Sequence, residues 1–335
     1  MSHTPTNVAY VLCILFAACT VIFVSYNTFV LEPQVGVLDA EIIHDVSRGK
    51  AHRETRLLFV GDMMFDRTIR NVAAEHGYDY LFSCLTDDFT RYDSIVGNLE
   101  GPITTNASRS FNTLPGEEGN TQFTFDPSIG NTLAAHNIKI VSIGNNHIQD
   151  FGYEGIIETQ QVLDAAGVEH FGNPTDASKM YIDTRVKDQN IRFVAYNDFL
   201  GDTNDSYKAI ETAGEQSFVV VFAHWGDEYS STITTQKETA RLLAEAGADL
   251  IIGSHPHVIQ ESEILSVTTN ETGLVKKVPV YYSLGNFIFD QYWDESVRDR
   301  LGVSVTIENG TVTDVSEHTY TAQRDGRVCK KETEV

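Results

Sequence analysis

Two histidines separated by one proline, His255-Pro256-His257, follow the short apolar run Leu250–Ile252 after Gly253-Ser254. Two imidazoles two residues apart at a strand end converge readily on one ion, and imidazole suits Zn, Mn and Fe. Five other apolar runs end in the same way. Leu57–Val60 leads into Gly61-Asp62, Ser94–Val96 into Gly97-Asn98-Leu99-Glu100, and Ile138–Ile143 into Gly144-Asn145-Asn146-His147. Phe218–Phe222 leads into His224-Trp225-Gly226, and Val278–Tyr282 into Ser283-Leu284-Gly285-Asn286. Glycine at such a point permits the sharp turn that aims the next side chain into the crevice outside the carboxyl ends of a sheet. Taken singly, Asp62 could cap a helix, Glu100 could be a solvated acid, Asn145 and Asn146 could be turn residues, and His224 could be a core imidazole. Recurrence at six strand ends argues for one shared cation site.

The elements needed to position these groups are legible. The six runs, with Ile191–Tyr196, have the length and β-branched content of buried strands. Helical patterns lie between them at Thr68–Glu75, Asp126–His136, Tyr153–Ala166 and Thr235–Ala246. This order is α/β. Val303–Ile307, Asn309-Gly310 and Thr311–Val315 read as a β-hairpin, adding an antiparallel edge. Cys84 and Cys329 lie far apart, and the cysteine spacing suggests neither a metal-binding CxxC nor a disulfide framework.

Val8–Tyr26 is nineteen residues without a charge, enough at ~1.5 Å per residue to cross a hydrocarbon core of ~30 Å. An uncleaved transmembrane anchor is the first reading; a cleaved signal peptide or a lipoprotein site at Cys19 are the alternatives. Flanking charge does not fix the orientation. The chain divides into a short tail (1–7), the anchor (8–26), a linker (27–55), the globular domain (56–322) and a C-terminal tail (323–335). With 24 Lys and Arg against 47 Asp and Glu, the net charge is −23, which opposes binding to nucleic acid. An anionic partner would need a local positive site, such as a metal.

The motifs Gly61-Asp62-Met63-Met64, Asn98-Leu99-Glu100-Gly101-Pro102 and Asn145-Asn146-His147-Ile148-Gln149-Asp150-Phe151-Gly152 occur in order. They are followed by His224-Trp225-Gly226-Asp227-Glu228-Tyr229, Gly253-Ser254-His255-Pro256-His257 and Tyr282-Ser283-Leu284-Gly285-Asn286-Phe287. This series resembles the bacterial capsule-synthesis CapA family, associated with poly-γ-glutamate, which in turn resembles the calcineurin-like metallophosphoesterases. The resemblance implies a four-layer α/β sandwich of two mixed sheets flanked by helices. It further implies metal ligation by Asp62, Glu100, Asn146, His224, His255 and His257, with His147 protonating a leaving oxygen. Asn98, Asn145, Glu228 and Asn286 would support those ligands or position substrate. That superfamily has Asp-x-His where this chain has Asp62-Met63-Met64, so one or two divalent ions (Mn, Zn or Fe) are expected.

The chemistry expected is metal-assisted hydrolysis or transfer at a phosphoryl or carbonyl centre, on an anionic polymer such as poly-γ-glutamate or on a phosphoester. The alternative is a non-catalytic factor that binds polymer or a synthase. The chain has no GxxxxGK[ST], GxGxxG or GxSxG motif, so any ATP chemistry in polymer synthesis would come from a synthase partner. The family association places the domain outside the cytoplasm, held by a single membrane pass.

Overall fold

Each apolar run read as a strand forms one in the computed structural model, which describes residues 54–331 apart from 114–116, 269–272 and 274. In chain order, the first half comprises β1 (Thr55–Met63), α1 (Arg67–His76), α2 (Thr86–Phe89), β2 (Ser94–Leu99), α3 (Ile129–Ala135), β3 (Ile138–Ser142), α4 (Gly152–Ala166) and β4 (Glu169–Phe171). Next come β5 (Tyr181–Val186), β6 (Gln189–Asn197), α5 (Thr203–Glu211), β7 (Phe218–His224), α6 (Thr234–Ala246) and β8 (Leu250–Ser254). The last are β9 (Ser262–Thr268), β10 (Val275–Tyr281), β11 (Asn286–Ile288), α7 (Glu295–Arg298), β12 (Asp299–Glu308), β13 (Thr311–Ala322) and β14 (Val328–Lys330).

The strands form two mixed sheets. One has the order β14-β13-β12-β1-β2-β3-β4, with β11 also pairing to β1, and the other β5-β6-β7-β8-β10-β9. Strand alternation sorts the side chains into layers, because neighbouring residues point to opposite faces. Leu57 and Phe59 pack between the sheets against Phe193, Val220, Phe222 and Ile252. Leu58 and Val60 face the other way, in a cluster with Ile69 of α1, Leu133 of α3 and Ile156 of α4. In β7, Val219 and Val221 turn toward Ile210 of α5 and Leu243 of α6. The layers therefore run helix, sheet, sheet, helix, and each large apolar side chain removed from water contributes ~1.5–3 kcal/mol. The expected hairpin is β12–β13, turned at Asn309 and Gly310, whose positive φ values of 53° and 71° suit Asn-Gly.

Two expectations are corrected. Residues 323–335 are not simply a tail, because β14 pairs antiparallel with β13, with Tyr320 opposite Lys330. The cysteines also do pair: Cys84 and Cys329, 245 residues apart, are joined with a Cα–Cα distance of 5.0 Å. Sequence separation concealed this because the pairing depends on the sheet order, which carries β14 back toward the segment after α1. The expected anchor at 8–26 and residues 27–53 of the expected linker lie outside the described residues. Among the described residues, no helix is long and apolar enough to cross a membrane.

Replacing both Cys84 and Cys329 by Ser should lower unfolding free energy by about 2–5 kcal/mol, the usual worth of a native bridge. Denaturant titration of the oxidised parent beside the double variant measures this; coincident curves would show that the bridge does not form in solution.

Candidate metal centre

The carboxyl ends of β1, β2, β7 and β8 come together, and their side chains are almost wholly removed from water. Asp62 and Glu100 have no exposed surface, while His224, His255 and His257 retain at most 4%. One ligand atom each from Asp62, Glu100 and His257 lies within 4.8 Å of the other two. His257 Nδ1 is 3.3 Å from Asp62 Oδ2, and its Nε2 is 3.6 Å from Glu100 Oε1. These atoms are close without being in hydrogen-bonding line: His257 Nδ1 and Glu100 Oε1 have no hydrogen-bond partner, nor has His255 Nδ1. Buried polar atoms left unpaired in this way are costly. All three are carboxylate or imidazole atoms, and Glu100 and His257 belong to the group that lies together, a donor set that fits a divalent cation.

The remaining contacts hold this set in place. Asn98 donates through Nδ2 to Asp62 Oδ1 at 2.8 Å and reaches Glu100 Oε2 at 3.3 Å. Asn145 in turn donates to Asn98 Oδ1 at 3.0 Å and to the Leu99 carbonyl at 2.8 Å. The backbone N–H of His255 donates to Asp62 Oδ2 at 3.2 Å, which links the two sheets. His224 lies with Nε2 2.9 Å from Asn146 Oδ1 and Nδ1 3.0 Å from Ser254 Oγ. The ring centroids of His224 and His255 are 4.8 Å apart. His255 and His257 both have positive φ, 95° and 60°. Such backbone costs roughly 1–3 kcal/mol per residue and persists where surrounding structure over-determines it.

Electrostatics follow from burial. Burial and the neighbouring Asp62 push the Glu100 carboxyl well above its ordinary range. Burial acts the same way on Asp62, but there the close approach of His257 and His224 and the hydrogen bond from Asn98 outweigh it and hold the carboxyl well below its usual value. Burial and the adjacent His255 hold His224 well below the usual imidazole value. Burial, with His257 beside it, lowers His255 to about 4. Both imidazoles are therefore neutral near pH 7, the form that coordinates metal.

His147 stands at the edge of this cluster, its Nδ1 2.9 Å from Asp150 Oδ2 and its ring 4.3 Å from that of Phe123. Asp150 also accepts the Phe123 backbone N–H at 2.7 Å. A carboxylate on Nδ1 leaves Nε2 as the ring nitrogen available for proton transfer. Asp150 was not singled out from sequence, although its i,i+3 spacing from His147 could have signalled it. Asn286, opposite Asp62 in the β1–β11 pairing, is buried and donates to Gln291 Oε1 at 2.9 Å and to the His257 carbonyl at 3.3 Å. Its support of the site thus runs through the backbone of His257. Glu228 is exposed, and its negative charge acts on Glu100 and His255.

Fold and site together define a two-sheet α/β sandwich with an acidic and imidazole cluster, suited to a divalent cation, at its converging strand ends. The chain belongs to the family described as bacterial capsule synthesis protein PGA_cap, whose sequence profile matches residues 56–291. It is 29% identical over 281 residues to the PGA biosynthesis protein CapA of Bacillus subtilis strain 168, covering 76% of this chain and 68% of that one. It is 26% identical over 287 residues to the capsule biosynthesis protein CapA of Bacillus anthracis, covering 78% and 66%. The chain thus spans about two thirds of the length of these relatives. Among solved structures, the sulfate thiohydrolase SoxB of Thermus thermophilus, in complex with glycerol, aligns with a TM-score of 0.42 and 13% identity, over 82% of this chain and 56% of that one.

If the cluster holds a cation, His257→Ala and Asp62→Asn should each abolish stoichiometric uptake of Mn, Zn or Fe, while Asp150→Asn keeps it. Glu100→Gln should weaken uptake yet stabilise the metal-free protein, because an amide never takes on the charge that burial and Asp62 disfavour at this position. Elemental analysis and thermal melts of the metal-free variants report the two effects. Uptake by Asp62→Asn equal to the parent's would exclude this cluster as the site.

Proposed function

We propose that this chain is a metal-dependent hydrolase or transferase of the metallophosphoesterase type, acting on an anionic polymer of the poly-γ-glutamate class during capsule synthesis. The observation that carries the reading is the buried Asp62–Glu100–His257 group with its unpaired ligand atoms, beside a His147–Asp150 pair placed for proton transfer. Membership of the PGA_cap family, and relatives named for PGA and capsule biosynthesis, support the substrate class.

In this reading Asp62, Glu100 and His257 hold the cation, with His224, His255 and Asn146 completing its surroundings. A divalent cation supplies Lewis acidity at a phosphoryl or carbonyl centre and counters the negative charge of substrate. Asn98 and Asn145 fix the carboxylates by hydrogen bonds, so little reorganisation is needed as charge develops. His147 delivers a proton from Nε2 to the departing oxygen or nitrogen, and Asp150 on Nδ1 orients the ring and stabilises its protonated form. The domain faces outward from a membrane anchor at Val8–Tyr26, with an ATP-using synthase as partner. The Cys84–Cys329 bridge supports that placement, because disulfides persist in oxidising compartments.

The full-length protein, reconstituted with Mn, Zn or Fe, should turn over a generic aryl phosphate or poly-γ-glutamate. His147→Ala should keep its metal and lose ~10²–10⁴-fold in turnover, the usual worth of a positioned general acid. Metal-loaded parent inactive on both substrates, together with normal capsule yield from cells carrying His147→Ala, would overturn the catalytic reading.

A further inference from the structure

Arg67 opens α1 with φ of +49°, an uncommon backbone for a non-glycine residue, and its N–H is held by Asp66 Oδ1 at 3.0 Å. Its guanidinium carbon lies 5.1 Å from the centre of the Phe123 ring and 5.3 Å from that of Phe289. Each of these rings touches a histidine of the candidate site. Phe123 packs on His147 with centroids 4.3 Å apart, and Phe289 packs on His257 at 4.8 Å. The Arg67 side chain is only 14% exposed. One terminal nitrogen donates to Asp290 Oδ1 at 2.6 Å, but the buried Nε has no partner. Among the described residues, no other lysine or arginine stacks on either ring.

We propose that Arg67 is a substrate-binding residue, whose guanidinium, stacked on Phe123 and Phe289 beside the acidic and imidazole cluster, takes an oxyanion of the substrate, a carboxylate or a phosphate. Three physical points carry this. A guanidinium does not lose its proton, so it stays cationic even when largely buried. Its planar fork matches the paired oxygens of a carboxylate or phosphate, and Asp290 engages only part of it. In a chain of net charge −23, a cation beside two buried carboxylates offsets the repulsion an anionic substrate would meet there. A purely structural role, tying α1 to the segment after β11 through Asp290, would use the terminal nitrogen and leave the buried Nε–H unexplained.

The inference rests on the proposed site, and the test separates the two. Binding of inorganic phosphate and of glutarate, which carries the carboxylate chemistry of the polymer, is measured calorimetrically on the full-length protein with and without metal. Arg67→Gln should keep its metal and weaken oxyanion binding by about 10–100-fold, the worth of one charge-assisted hydrogen bond. Arg67→Lys should recover part of the loss. Asp290→Asn breaks the same ion pair but leaves the guanidinium in place, so it should bind the probes at least as tightly as the parent. Preference for glutarate or for phosphate identifies which oxyanion the site takes. If metal binds and Arg67→Gln holds both probes like the parent, the inference falls and the metal reading stands. Equal losses in Asp290→Asn and Arg67→Gln would assign Arg67 a structural role and overturn it as well. If the parent takes up no metal, the metal reading falls, and the inference stands only where Arg67-dependent binding persists in the metal-free protein.

Discussion

Burying two carboxylates side by side is the constraint on which this structure turns. Asp62 and Glu100 are both fully removed from solvent at the place where the two sheets meet. In such surroundings the charge on one raises the cost of charge on the other, and isolated ions are expensive to desolvate. The fold answers with polar groups delivered from the ends of β2 and β8: the Asn98 amide between the two acids, the His255 N–H on Asp62, and the His257 imidazole facing both. The compensation is incomplete, because Glu100 Oε1 and His257 Nδ1 still lack partners. Unpaired buried atoms are costly, and finding them on a clustered carboxylate and imidazole is what makes this cluster the candidate site.

Delivering those groups depends on close backbone approach behind them. A Cβ on Gly61 would lie 1.8 Å from the Gly285 carbonyl oxygen, and that carbonyl accepts the Asp62 N–H at 3.1 Å. Gly253 is equally constrained, its would-be Cβ 1.9 Å from the Tyr282 carbonyl oxygen, to which Trp225 donates through Nε1 at 2.8 Å. Farther back, the fully buried Arg300 donates to the carbonyls of Phe287, Phe289, Val297 and Arg298, and among the described residues it forms no ion pair with a carboxylate. Burial lowers its pKa to about 10, still high enough to keep it charged at neutral pH. It shapes the chain around Asn286 and Phe289, and through them the back of the His257 loop.

Much of this was readable because a strand followed by glycine and a polar residue is a local signal. Asp62, Glu100, Asn146, His224, His255 and His257 all lie where that signal placed them, at strand ends. Periodicity could not show that the carboxyl ends of two separate sheets meet, since that depends on how β1 packs across β8. Other features escaped because their sequence signal is weak or absent. β9, with the burial pattern eeeBeBe, is an edge strand with too few buried positions to show a strong apolar run. α5 is nine residues with only Ser206, Ala209 and Ile210 buried. The Cys84–Cys329 bridge and the stacking of Arg67 on two rings distant in sequence are tertiary facts with no local trace.

The position of β1 has a mechanical consequence. It is the middle strand of its sheet, paired with β12 on one side and β2 on the other, and it carries Asp62 at its far end. Tension applied through the residues before Thr55 therefore enters the domain at its centre. Such a load runs along the strand and strains the hydrogen bonds of two ladders together, where a pull on an edge strand would break them one after another. A tether on that side would draw on the most resistant direction of the sheet, and the strand bearing the load would be the one that seats the first acidic residue of the site.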